Sequence, residues 1–149
     1  GNLTWGTLAA PQILVSASRT STYTTNSSYA TLVYNSASIN VSSAYNTSTG
    51  VFTAPATGTY EVIVNNEYST GSATNNWITN RIVVNGSTET ETTLAITPYS
   101  GTTYSTLAAH TIVTMTSGQT ISITQGNESG TMNPEYGTAQ HTLKIIRLN

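Results

Sequence analysis

The chain contains no cysteine and no aspartate, and only 7% of its 149 residues are charged. Without cysteine there is no disulfide, no thiolate metal site and no thiol nucleophile. Without aspartate, every catalytic triad or dyad that needs one is excluded. The carboxylates are Glu61, Glu67, Glu89, Glu91, Glu128 and Glu135, and no Gly-x-Ser-x-Gly spacing supports a Ser-His-Glu arrangement around His110 or His141. Long helix formers are scarce, and no segment has a helical period. No apolar run approaches the ~20 residues of a membrane span. Four cations, Arg19, Arg81, Lys144 and Arg147, are too few and too scattered to follow a phosphate backbone, so nucleic acid is not an expected partner.

What the chain has instead is Thr, Ser, Asn, Val, Ile and Tyr. Its formal charge of -2, with nine tyrosines and two tryptophans, argues against disorder and for packed β-structure. The length suits one domain, and the expectation is a lead-in over residues 1–10, from a longer protein, followed by a domain over 11–149.

Strand and turn signals interlock most tightly over 45–64. A Ser-Thr-Gly turn leads into Val51-Phe52-Thr53-Ala54, Pro55 ends that strand, and Gly58 is expected to take a positive φ in a return turn. Beyond it Tyr60, Val62 and Val64 share one face, and Glu61, Ile63 and Asn65 the other. Other strands are expected at 12–17, 30–34, 39–41, 77–84, 89–96, 110–115, 120–124 and 141–148. Asn85-Gly86 reads as a hairpin turn. Segment 18–28 reads as a long loop or a weak edge strand, and 67–76, 98–104 and 126–137 read as loops. The last strand is apolar on both faces, with Leu143 and Ile145 on one and Ile146 and Leu148 on the other. It lies either in a thick core or under another subunit.

The spacing of Gly50, Phe52, Ala54, Pro55, Gly58 and Tyr60 resembles the signature of globular heads of the C1q and tumour necrosis factor superfamily. Three more stretches match in the right order: Ile82 to Gly86, Val113 to Ile121 and Leu143 to Leu148. The resemblance implies an all-β, two-sheet antiparallel jelly-roll sandwich that assembles as a homotrimer and binds proteins, glycans or cell surfaces. Phe52, Tyr60, Val62, Ile63, Leu143, Ile145, Ile146 and Leu148 are its expected core or trimer residues. Gln119 stands where the family often has aspartate, so no calcium site is carried over, and no cofactor or metal is expected.

His110 and His141 lack further ligands at useful spacing and read as hydrogen-bonded strand residues. Glu89 and Glu91 read as one solvated hairpin face. Trp77, Tyr99, Tyr104 and Tyr136, in or beside loops, are the candidate contact residues, because aromatics give large contact area and stack on sugars. The Asn-x-Ser/Thr sequons are chance products of composition. The expected function is a non-enzymatic head of a surface appendage, a viral or phage spike or fibre or a bacterial filament, that attaches to a host receptor or glycan. The expected location is the virion surface or the cell exterior. The alternatives are a purely structural trimerisation cap and a carbohydrate-binding module.

Overall fold

The computed structural model describes residues 10–21, 28–69, 76–96, 104–127 and 140–149. Among them run β1 (Gln12–Ser18), β2 (Ala30–Thr31), β3 (Ser36–Asn40), β4 (Tyr45–Asn46), β5 (Val51–Thr53), β6 (Gly58–Ser69), β7 (Asn76–Val84), β8 (Ser87–Ile96), β9 (Tyr104–Met115), β10 (Thr120–Asn127) and β11 (His141–Arg147). A single 3-10 turn covers Val41–Ser43. The strands form two antiparallel sheets. The first has the order β3-β1-β11-β6-β9, and the second β4-β5-β10-β7-β8 with β2 added to β10.

The sheets face each other across a core led by Phe52, Tyr60, Val62, Val64, Ile82, Ile121, Ile123, Leu143 and Ile145, each 1% exposed or less. Phe52 and Tyr60 meet edge to face, with ring centroids 5.8 Å apart, an arrangement that suits two aromatic quadrupoles. The corner over 54–58 carries the chain from the second sheet to the first. Tyr60 Oη donates to the Ala56 carbonyl there, and Ala54 exchanges backbone bonds with Gly118 and Gln119.

Gly58 departs from the expected backbone, because Gly50, Gly86 and Gly118 take positive φ and it does not. It is required for space. A Cβ on Gly58 would stand 2.7 Å from the Asn149 carbonyl oxygen and 2.9 Å from Arg147 Nε. The hairpin at Asn85-Gly86 has φ values of 51° and 84°, the left-handed pair that a type I′ turn uses.

Several strand limits also differ from the sequence pattern. β6 continues to Ser69 and pairs with a β9 that starts at Tyr104, so 67–69 and 104–109 are ladder. β2 is shorter than the apolar run 30–34: after the Leu32 bond to Ile123, the Tyr34 N–H turns to Tyr45 Oη at 3.0 Å. β4 had no signal of its own. β11 ends at Arg147, leaving Leu148 half-buried beyond it.

The sandwich has two unlike ends. At one lie the short turns 54–57, 85–86 and 116–119. At the other lie the ends of β6, β8 and β10 and the beginnings of β7, β9 and β11, as the pairings Ser69–Tyr104, Asn66–His141, Asn76–Ile96 and Ile78–Asn127 show.

Candidate functional site

Two surfaces and one internal layer follow from this frame. The outer face of the first sheet carries two adjacent rows. One runs Ile13, Ile146, Glu61, Ile112 and the next Ile39, Ser16, Lys144, Ile63, His110. Strand alternation puts these residues opposite the buried Tyr60, Val62, Leu143 and Ile145. Ile13, Ile39 and Ile112 are 43%, 38% and 56% exposed, and Ile63 and Ile146 are half-buried. Five isoleucines thus share one open face. Glu61 Oε1 and His110 Nε2 join across it at 2.9 Å.

Of the residues expected for core or trimer contact, Phe52, Tyr60, Val62, Leu143 and Ile145 lie between the sheets. Ile63 and Ile146 lie on the outer face. The two-faced apolar character of β11 thus divides between Leu143 and Ile145 in the core and Ile146 on the outer face.

The end opposite the short turns holds Trp77, at the start of β7, 49% exposed on the outer side of the second sheet. Tyr104 opens β9 at the same end. Tyr99 and Tyr136 lie outside the described residues, in segments whose flanking strands end here. Glu91 does not act with Glu89: it pairs with Arg81, and Glu89 falls where the β7–β8 register shifts.

Beneath this end, where β6, β8 and β10 finish, the core turns polar, a feature the sequence pattern did not reveal. Asn66, Asn80, Gln125 and His141 are each 2% exposed or less. Tyr34 Oη donates to Asn66 Oδ1 at 3.0 Å, and Tyr68 Oη to Asn80 Oδ1 at 2.8 Å. The Tyr68 ring meets the His141 ring edge on, at 5.5 Å. Burial, with the Arg19 guanidinium adding to it, pushes the His141 pKa down to about 4, against the opposing effect of a hydrogen bond from the imidazole to the Glu67 backbone carbonyl. Burial likewise raises the Tyr34 phenol well above its ordinary value and Tyr45 to about 12. These groups are neutral at physiological pH and act by hydrogen bonding. No group of three or more His, Cys, Asp or Glu that could hold a metal occurs among the described residues.

The comparisons with known proteins agree with this architecture. A search of curated protein sequences gives no match. Among solved structures, the globular domain of zebrafish complement 1qA protein superposes with a TM-score of 0.62 at 12% identity, covering 89% of this chain and 90% of its own. Murine APRIL at pH 5.0 superposes at 0.69 and 8% identity, covering 91% of this chain and 98% of its own. The same protein at pH 8.5 gives 0.65 at 8% identity, covering 93% and 99%. At these identities the likeness is one of fold. The family profile of the C1q domain matches residues 15–141, and on that match, the chain belongs to the C1q family.

Proposed function

We propose that this domain is the non-enzymatic, homotrimeric head of a surface appendage, and that its end opposite the short turns attaches to a receptor or glycan. The observation that carries the assembly is the isoleucine face of the first sheet. Covering an exposed isoleucine is worth about 1.5–3 kcal/mol, and in a C1q-family chain a symmetric arrangement of copies is the economical cover. The two central rows of that face hold Ile, Glu, Ser, Lys and His and no Trp, Tyr or Phe, so they offer no row of large rings of the kind a carbohydrate-binding module stacks on sugars. Trp77, exposed at the end opposite the short turns, supports attachment there, and Tyr99, Tyr104 and Tyr136 are proposed to join it. A viral or phage spike or fibre, or a bacterial surface filament, at the virion surface or cell exterior, is the proposed setting.

Light scattering at micromolar concentration tests the assembly: a mass three times that of the chain is expected, and a monomer overturns it. Adsorption tests the attachment. The isolated domain should compete with its parent particle for cells or a glycan array, and Trp77→Ala should weaken that competition. A domain that trimerises and never competes is a structural cap instead.

A further inference from the structure

Among the described residues, the polar layer between the sheets leaves five side-chain atoms without a partner: Asn66 Nδ2, Asn80 Nδ2, Gln125 Nε2, Gln125 Oε1 and His141 Nδ1. Their residues come from both sheets and are held close by backbone pairing. Asn66 stands opposite His141 in the first sheet, and Asn80 opposite Gln125 in the second. Tyr68 ties the two pairs together, since its hydroxyl reaches Asn80 and its ring meets His141. Buried polar atoms in folded proteins are nearly always partnered, by protein or by ordered water, and one left bare costs its full desolvation.

The orphan set also specifies what kind of partner it takes. Gln125 decides the matter, because whichever way its amide is turned, one end donates and the other accepts. A bare anion would satisfy the amide N–H groups and leave Gln125 Oε1 unpaired. A bare cation would do the reverse. A molecule that both gives and accepts hydrogen bonds satisfies every atom, and residues no more than 2% exposed admit only a small one. We propose that Asn66, Asn80, Gln125 and His141 form a buried site for ordered water, and that the bound molecules complete the join between the sheets beneath the end that holds Trp77.

This site owes nothing to the trimer or to a receptor, so it can be tested apart from both. Water–protein nuclear Overhauser effects to the Gln125 side-chain amide, and solvent peaks within hydrogen-bond reach of both its ends in a high-resolution crystal structure, are expected. A layer closed by direct side-chain contacts overturns the proposal. So does an anomalous peak from bromide at the site after a bromide soak. Gln125→Met gives an independent readout. If the layer is dry, removing two bare polar atoms should raise the folding equilibrium constant about 30-fold or more. If water is bound, the constant should rise by less than about threefold, or fall.

Discussion

The guanidinium of Arg81 lies 3.4 Å above the centroid of the Tyr29 ring, while Gly126 of β10 passes against the ring, so near that a Cβ there would be 2.8 Å from Tyr29 Cδ1. The glycine is what lets an aromatic side chain lie close on the second sheet under a cation. Gly126→Ala should push the ring away and lose both the packing and the cation–π contact. A loss of about 1–3 kcal/mol in chemical denaturation is expected, whereas Arg81→Lys should cost less because an ammonium can still sit over the ring.

Gly58 and Gly86 should respond to alanine for opposite reasons. Gly58 has no positive φ and no room, with the Asn149 carbonyl oxygen 2.7 Å from its missing Cβ. Gly86 has open space and a φ of +84°. Gly58→Ala should displace the 147–149 segment and weaken the Arg147 bond to the Thr57 carbonyl, visible as shifted resonances at the corner. Gly86→Ala should leave those resonances in place and cost about 1–2 kcal/mol of backbone strain, read from the denaturation midpoint.

His141 makes stability depend on pH with a definite sign. Its folded pKa, about 4, lies below the ordinary 6.5, so the unfolded chain takes up the proton first. The contribution is therefore complete above about pH 6.5, drains away as the pH falls towards 4, and changes no further below that. The span is on the order of 3 kcal/mol. Denaturation curves across that range should show the fall, and His141→Gln should flatten it, whatever its effect on absolute stability.

Ile112 offers the cleanest test of the isoleucine face, since at 56% exposure it supports little of the single-chain core. Ile112→Glu places a second carboxylate directly across from Glu61, and like charges at that position repel. The variant should keep its β-sheet circular dichroism and sediment as a monomer. A variant that stays assembled would move the contact to another surface.

Much of the frame was legible because alternation is a local signal: Tyr60, Val62 and Val64 declare the inner face of β6 by themselves. The signal fails where the side chains are small or amidic. Glu67 and Tyr68 read as loop, and Asn66 just before them carries no apolar signal, yet Asn66 is buried and accepts a hydrogen bond from the hydroxyl of Tyr34, 32 positions away. The first half of β9 sets Leu107 among the small residues Ser105, Thr106, Ala108 and Ala109, too thin an apolar pattern to mark a strand, and its pairing is supplied by β6, an instance of context overriding propensity. The polar layer was illegible for the same reason. No window of sequence contains both Asn80 and Gln125, and only register puts them side by side. The Arg81–Tyr29 contact was missed because Gly126, which lies within β10, read as the start of a loop, and a lone glycine does not say what lies against it.

The shifted register between β7 and β8 bears on how so weakly charged a chain resists edge-to-edge pairing. β8 is the free border of its sheet, where an open row of amides and carbonyls invites a neighbour to add a strand. Here that border carries Ser87, Thr88, Glu89 and Glu91, all exposed, and the irregularity at Ile82/Val83 spoils its straightness. Two of the six acidic residues in the chain thus guard the place where runaway ribbon growth would begin.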